Sequence, residues 1–209
     1  MLVKNIMIPE KNLSKVSLND TVQETIALID SHSLLSLPVV DNKKFVGIIS
    51  KKYIFEEYFN VGGDKDEFLR RKVEEFMKTK VESIKENDLI EIPVEVLAEK
   101  NLQFIPVAND KDEFVGIVTH KAVFKTFTNI LGFGHTRIVV TTHDMKGRLA
   151  KLAETINKHN GNIISIVEVD LEVMNLREII LRVDVEDTKK LITALNTNGF
   201  TVRHVEEVK

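Results

Sequence analysis

The sequence LPVVDNKKFVGIISKK, which runs from Leu37 to Lys52, returns in altered form as IPVANDKDEFVGIVTHK from Ile105 to Lys121. Each copy holds two apolar stretches separated by a polar turn, and each ends on a hydroxyl residue with a lysine two positions later. Apolar stretches joined by a short polar turn predict a β-hairpin whose strands are covered on both faces. The doubled hairpin therefore predicts two copies of one structural unit.

The repeat continues upstream of the hairpin. The sequence VKNIM at 3–7 returns as VEEFM at 73–77, and the Asn-Asp pair at 19–20 returns at 87–88. Because these matches recur in the same order, each unit is predicted to fold as strand, helix, strand, strand, helix.

Acidic residues before the first helix of each unit predict where these helices begin. We expect Asp20 to cap the helix of the first unit, and Asp88 with Glu91 to form a capping box in the second. Pro93 lies early in the second helix, where it removes a hydrogen bond unless the helix begins late. The charged, Gly-containing segment 60–71 is predicted to be a linker between the units.

The composition excludes several classes of protein. The chain has 209 residues, 43% hydrophobic and 29% charged, with a formal net charge of -3 and no Cys. This charge balance gives no basic surface for nucleic acid, and the lack of Cys excludes disulfides and thiolate metal sites. No signal peptide or membrane-spanning run is visible, so we expect a cytoplasmic protein with neither nucleic-acid nor membrane partners.

The doubled pattern resembles a pair of cystathionine-beta-synthase (CBS) domains. The resemblance is carried by VxxxM, the Asn-Asp pair before a helix, [LI]PV, and FVGI[IV] followed by a hydroxyl residue and a lysine. It implies a tandem (Bateman) module with one CBS unit at 1–59 and a second at 72–128. In this family the two units pack their sheets face to face, the two clefts between them commonly hold adenine derivatives, and modules often pair into a homodimer.

Two helix starts in this module are predicted to bind a phosphate. Ser50 and Thr119 each place a hydroxyl at a helix start, where free N–H groups and the helix dipole attract an anion. The resemblance places the base against backbone groups near Val16 and Ile84. The predicted nucleotide-binding residues are Val16, Pro38, Ser50, Lys52, Tyr53, Ile84, Pro106, Thr119, His120 and Lys121. The alternative is that Ser50 and Thr119 only cap their helices.

The sequence departs from the family at the position that holds the ribose. Nucleotide-binding members usually carry Asp three residues after the hydroxyl residue, and here those positions are Tyr53 and Ala122. A carboxylate that accepts two ribose hydroxyls orients a nucleotide strongly. Cyclic di-AMP, whose riboses are tied into phosphodiester linkages, would need this Asp less than AMP or ATP. Tyr53 is interpreted as a core aromatic in preference to a ring that stacks on a base.

The chain after a predicted linker at 129–136 has a different pattern. Residues 137–209 read as strand, helix, strand, strand, helix, strand, the order of a ferredoxin-like fold. Gly161 and Gly199 follow the two helices, where a left-handed residue commonly ends a helix. The overall fold class is therefore α+β.

This second pattern is similar to ACT domains, whose signature is an Asp, a Gly three residues on, and then a Leu. Asp144, Gly147 and Leu149 keep this spacing, and Asn162 follows the helix. The resemblance implies an amino acid or another small effector held by Asp144, Gly147 and Asn162. The alternative is that Asp144 caps the helix and the domain only dimerises.

The order CBS–CBS–ACT resembles the acetoin-utilisation proteins of bacteria. We predict a non-catalytic sensor that binds an adenine nucleotide as a regulatory ligand, with no cofactor and no metal, and that signals through a homodimer and an unidentified protein partner. The alternatives are a ligand-free interaction module and an amino-acid sensor based on the ACT domain.

Overall fold

The computed structural model of the protein describes residues 1–172 and 175–208. Residues 173, 174 and 209, which fall inside the predicted domain 137–209, lie outside the described residues. The chain divides into two compact units, Met1–Phe124 and Lys125–Lys209. The boundary lies inside a helix, somewhat before the predicted end of the second CBS unit at residue 128.

The amino-terminal unit contains the two predicted copies. The first copy contains β1 (Ile8–Pro9), α1 (Val22–Ser31), β2 (Ser36–Asp41), β3 (Lys44–Ser50), α2 (Lys51–Val61) and α3 (Lys65–Arg70). The second contains β4 (Ile84–Lys85), α4 (Glu91–Glu99), β5 (Phe104–Ala108), β6 (Phe114–Thr119) and α5 (His120–Ile130). Strands β2 and β3 pair as one antiparallel hairpin, and β5 and β6 pair as the other. The doubled hairpin predicted from the sequence is confirmed.

The opening segment of each copy packs into the other copy. Val3 is buried in the core around β5 and β6, and β1 pairs antiparallel with β6. In return, Val73 and Phe76 are buried in the core around β2 and β3. The two copies are therefore interlocked, whereas the sequence alone predicted two consecutive units.

Both predicted caps of the first helices are wrong. The carboxylate of Asp20 accepts hydrogen bonds from the Ser17 amide and hydroxyl, which hold a turn before the helix. Thr21 caps α1, and the Glu24 carboxylate completes its capping box. Asp88 likewise accepts a hydrogen bond from the Lys85 amide, and α4 begins without a side-chain cap.

The position of Pro93 follows from where α4 begins. Because α4 starts at Glu91, Pro93 occupies its third position. The first amides of a helix have no partner within the helix, so a proline at this position removes no helical hydrogen bond. The expected conflict is therefore absent.

Replacing Thr21 by Ala is expected to lower the free energy of unfolding by about 1 kcal/mol. The substitution removes the acceptor of the Glu24 amide, 3.2 Å from the Thr21 hydroxyl. Urea unfolding followed by circular dichroism measures the change. Thr21→Ser keeps the hydroxyl and serves as the control, so an equal loss in both variants would show that the cap contributes nothing.

The segment 60–71 is not an irregular linker. Helix α2 continues to Val61, and α3 follows after a short turn. Phe68 of α3 is buried in the core around β2 and β3, the first core. The centre of its ring lies 4.9 Å from that of Tyr58 and 5.1 Å from that of Phe76. The sequence prediction failed because glycines and charges conceal two adjacent apolar residues, Phe68 and the partly buried Leu69, that pack on this core.

The carboxyl-terminal unit follows the predicted order. Its elements are β7 (Thr136–His143), α6 (Arg148–Lys158), β8 (Asn162–Asp170), β9 (Leu176–Asp184), α7 (Thr188–Thr197) and β10 (Thr201–Glu206). The strands form one antiparallel sheet in the order β10-β7-β9-β8. Both helices bury an apolar stripe against it, including Leu152 and Ile156 of α6 and Leu191 and Leu195 of α7.

The two helices of this unit end differently. Gly199 has a φ of 78° after α7, as the sequence predicts. After α6 the left-handed residue is Asn160, with a φ of 54°, so the prediction for Gly161 is wrong. Gly161 is needed for space, since a Cβ there would lie 2.8 Å from Cγ2 of Ile156.

The predicted linker 129–136 is shorter than expected, because α5 continues to Ile130 and β7 begins at Thr136. The connecting residues are held on the carboxyl-terminal sheet. The Ser165 hydroxyl donates to the carbonyl of Leu131, and Arg182 donates to the carbonyl of His135. Among residues 1–172 and 175–208, no helix is long and apolar enough to cross a bilayer.

Candidate functional site

The predicted phosphate positions Ser50 and Thr119 both lie at helix starts. The Ser50 hydroxyl accepts a hydrogen bond from the Tyr53 amide at 3.3 Å, and the Thr119 hydroxyl accepts one from the Ala122 amide at 3.2 Å. Both residues therefore cap their helices. A hydroxyl that accepts in a cap still has its own hydrogen to donate, so capping and ligand binding are compatible.

A cleft of about 470 Å³, which we call the central cleft, lies between the two copies. Cavities that hold small ligands measure about 300–1,000 Å³. Of the ten predicted nucleotide-binding residues, Pro38 and Thr119 line it. The remaining lining residues are Ile8, Asn12, Leu13, Ser14, residues 32–37, Gln103, Phe104 and Ile117.

The walls of the central cleft are mostly apolar. Its lining side chains are apolar or uncharged polar groups, apart from the imidazole of His32. The Ser36 hydroxyl donates to the side-chain oxygen of Gln103 at 2.9 Å and bridges the two copies. Such walls suit a flat base, while Thr119, which directly precedes α5, and polar side chains such as Asn12 and Ser14 offer contacts to a phosphate.

Sequence reasoning missed the loop between α1 and β2. Leu34 and Leu35 of this loop line the central cleft, and Leu35 is 72% exposed. Two adjacent leucines in a loop are a signal that was available in the sequence, because an exposed apolar pair in a loop commonly marks a contact surface. Ile8 and Gln103 gave no such signal, since only the fold brings them to the cleft.

The predicted cations do not line the central cleft. The Lys52 side chain is 72% exposed, and its ammonium lies 3.7 Å from the Glu56 carboxylate, one turn further along α2. His120 and Lys121 are exposed in the first turn of α5. The structure thus brings the hydroxyl of Thr119 to the cleft but leaves these charges outside its wall.

The predicted base-reading segment is also placed differently. The Val16 amide donates to the carbonyl of Pro38, and the Val16 carbonyl accepts from the Val40 amide, so both backbone groups are engaged in strand pairing. Val16 borders a separate pocket of about 380 Å³. Ile84 pairs with Val107 where β4 runs parallel to β5.

Pro106 is buried in β5, opposite Ile117 of β6. Ile117 itself lines the central cleft, whereas Pro106 does not. Pro106 is therefore a cross-strand neighbour of the cleft residue Ile117 on the same face of the sheet. The structure brings only part of the predicted binding set to one surface.

Tyr53 is not a core residue. It is half-buried and lies outside the clusters of buried apolar side chains in the described chain. The Lys78 ammonium lies 4.0 Å from the centre of its ring, a cation–π contact. The interpretation of Tyr53 as a core aromatic is therefore wrong.

A pocket of about 370 Å³ in the carboxyl-terminal unit is bordered by Asp144 and Gly147. Asp144 accepts two hydrogen bonds from the Arg177 guanidinium, at 3.2 and 2.9 Å, and this contact raises the pKa of Arg177. Asp144 therefore does not cap α6, whose N-cap is Gly147 with a φ of 85°. Asn162 begins β8 and is not part of this pocket.

Within residues 1–172 and 175–208, the structure contains no group of three or more His, Asp or Glu side chains that could hold a metal ion. The acidic side chains beside the carboxyl-terminal pocket instead surround Arg177, whose guanidinium lies 3.2 Å from Asp170 and 3.6 Å from Glu168.

Comparison with known families and proteins gives a consistent match to the amino-terminal part. The CBS domain family matches residues 3–60 and 73–129. Inosine-5′-monophosphate dehydrogenase of Methanocaldococcus jannaschii is 29% identical over 140 residues, which cover 66% of this chain and 25% of the enzyme. An uncharacterized protein of the same organism is 29% identical over 115 residues, which cover 55% of this chain and 36% of that protein. The chain thus spans well under half the length of these two relatives.

Several solved structures are similar to this chain over about 60% of its length. A CBS domain-containing protein of unknown function from Bacillus anthracis is 25% identical, with a TM-score of 0.56 over 61% of this chain and 93% of that one. The CbpB protein of Listeria monocytogenes in complex with c-di-AMP is 24% identical, with a TM-score of 0.54 over 60% of this chain and 94% of that one. CBSX2 in complex with AMP, a protein of Arabidopsis thaliana, is 22% identical, with a TM-score of 0.53 over 62% and 97%.

Proposed function

The chain belongs to the CBS domain family, and on this premise we propose that its amino-terminal unit is a regulatory module that binds an adenine nucleotide in the central cleft. The observation that carries the proposal is the cleft itself, with apolar walls and Thr119 at the start of α5. The fold that the chain shares with CbpB and CBSX2 holds c-di-AMP in one and AMP in the other. The module is a sensor and not a catalyst. The match covers only 25% of the dehydrogenase, so the activity of that enzyme is not part of the proposal.

The ligand is an AMP-type nucleotide or cyclic di-AMP. A nucleotide with free ribose hydroxyls lacks the usual Asp partner, because Tyr53 and Ala122 occupy those positions. Cyclic di-AMP has one hydroxyl of each ribose in a phosphodiester linkage and depends less on that carboxylate. Its two bases also match the apolar walls of the cleft better than a single charged triphosphate does.

The signal passes onward through α5 and through a dimer. Helix α5 begins directly after the cleft residue Thr119, and the chain continues from it into the connector that Ser165 and Arg182 hold on the carboxyl-terminal sheet. The carboxyl-terminal unit acts as an ACT domain that relays the change to a partner protein, in a cytoplasmic protein whose domain order resembles that of the acetoin-utilisation proteins. Exposed Phe124 and Phe127 of α5 support a homodimer, since aromatic side chains are enriched at protein interfaces.

Calorimetric titration with AMP, ATP and cyclic di-AMP tests the ligand. We expect at least one of them to bind, and Thr119→Val to weaken it about tenfold or more, because a hydrogen bond to a charged group contributes about 1.5–3 kcal/mol. Ser50→Ala removes the equivalent cap away from the central cleft and serves as the matched control. If none of the three nucleotides binds at millimolar concentration, the nucleotide proposal is wrong.

A second candidate function rests on the carboxyl-terminal pocket. Its wall contains a guanidinium, on Arg177, and carboxylates, on Asp144 and Glu168. These are the two charges that a zwitterionic amino acid would pair with. Titration with a mixture of free amino acids tests it, and Arg177→Ala is expected to abolish any heat of binding.

A further inference from the structure

The two hydroxyl positions of the module differ in their surroundings, although the repeat makes them equivalent in sequence. Ser50 and Thr119 each follow the second strand of a hairpin and cap the next helix. Ser50 is buried, with 4% exposure, whereas Thr119 is half-buried and lines the central cleft. One position is therefore covered and the other is open.

The covering residues can be identified by comparing the same positions in the two copies. The strand residue two positions before each hydroxyl is Ile48 in one copy and Ile117 in the other. Ile48 pairs antiparallel with Lys78, through hydrogen bonds of 2.9 and 2.8 Å, and Ile117 pairs antiparallel with Ile8. Lys78 and Ile8 therefore occupy matching places, one beside each hydroxyl.

The same comparison applies to the first helical turn. Tyr53 lies three residues after Ser50, and Ala122 lies three residues after Thr119. On the Ser50 side, the Lys78 ammonium lies 4.0 Å from the centre of the Tyr53 ring. On the Thr119 side, the matching residues are Ile8, which lines the cleft, and Ala122, whose side chain is a single methyl group.

We infer that the two clefts are not equivalent and that each chain binds one ligand, at Thr119, because Tyr53 and Lys78 fill the corresponding space at Ser50. The inference rests on the proposed function and specifies its site. The obstruction is steric: a tyrosine ring stands where the other copy has a methyl group, and the Lys78 side chain closes over that ring. Neither Ser50, Tyr53 nor Lys78 lines the central cleft or the pocket beside Val16.

The test exchanges the residues of the two sides. The opened variant, Tyr53→Ala with Lys78→Ile, gives the Ser50 side the residues of the Thr119 side. The closed variant, Ile8→Lys with Ala122→Tyr, does the reverse. Calorimetry with AMP and with cyclic di-AMP, each titrated separately, gives the affinity and the number of ligands per chain. Thermal unfolding of each variant verifies that it is folded.

We expect the wild type to bind one nucleotide per chain, AMP or cyclic di-AMP, the opened variant to bind two, and the closed variant to lose affinity at least a hundredfold. With cyclic di-AMP, the closed variant is again expected to lose binding, and Tyr53→Phe, which keeps the ring, to behave as the wild type. Two AMP per chain in the wild type, or a closed variant that still binds, would overturn the inference. Binding by the opened variant alone would also overturn it, because the Thr119 side would then be inactive. No binding by the wild type or by any variant would instead reject the nucleotide proposal itself.

Discussion

Replacing Phe68 by Ala is expected to lower the free energy of unfolding of the amino-terminal unit by about 3–5 kcal/mol. The side chain is 5% exposed and packs edge-on against the rings of Tyr58 and Phe76. The substitution leaves a cavity in the first core and releases the only buried side chain of α3. Thermal unfolding is expected to show a decrease in Tm of roughly 10 °C or more.

Phe59 provides a matched control, because it has the same side chain but is 84% exposed on α2. We expect Phe59→Ala to change stability by less than about 0.5 kcal/mol. Equal losses in the two variants would show that α3 does not belong to the core. The test bears on a segment that the CBS family match omits, since residues 61–72 lie between its two matched ranges.

Arg71 explains why this segment holds its place in spite of its glycines. Its guanidinium lies 5.6 Å from the ring centre of Phe68 and 4.6 Å from that of Phe76. It also donates two hydrogen bonds to Glu75, which lower the pKa of that carboxyl group. Composition suggested a linker because two adjacent apolar residues, Phe68 and Leu69, and one arginine carry the contact, and they form no periodic pattern.

The order of strands and helices was predictable because it depends on local pattern. The hairpins at 37–50 and 105–119 alternate apolar stretches with polar turns, and this pattern requires no knowledge of distant contacts. The exchange of the segments 3–7 and 73–77 was not predictable, because the same apolar residues satisfy either core. The prediction of the helix caps failed for a related reason. Asp20 and its neighbour Thr21 are both good caps, and only backbone geometry selects between them.

The candidate site was predicted in part. Of the predicted set, Thr119 and Pro38 line the central cleft, because the repeat fixes their positions in the hairpins. The sequence motif assigns Lys52 a role in the site, but on a helix this side chain reaches Glu56 one turn away. It also cannot show that Lys78 covers Tyr53, because this contact depends on where the other copy's opening segment crosses the sheet.

Replacing Arg148 by Ala is expected to destabilise the carboxyl-terminal unit by about 1.5–3 kcal/mol, the contribution of a hydrogen bond to a charged group. Its guanidinium donates to the Thr142 hydroxyl at 2.8 Å and to the carbonyls of Asn198 and Gly199 at 3.3 and 2.7 Å. It also lies 4.1 Å from the ring centre of Phe200. For a domain of about this size, the Tm of the corresponding transition falls by roughly 6–24 °C.

Two further variants separate the geometry of this contact from its charge. Arg148→Lys keeps the positive charge but not the planar fork, so it is expected to lose most of the same stability. Lys151→Ala removes an exposed cation one turn further along α6, where an ion pair with Glu154 contributes little. If Arg148→Lys is as stable as the wild type, a positive charge near the end of α7 is sufficient to stabilise the carboxyl-terminal unit. A second outcome is that Arg148→Lys loses as much stability as Arg148→Ala while Lys151→Ala loses none. The planar guanidinium of Arg148, which joins β7, α6 and the end of α7, then fixes this wall of the carboxyl-terminal pocket.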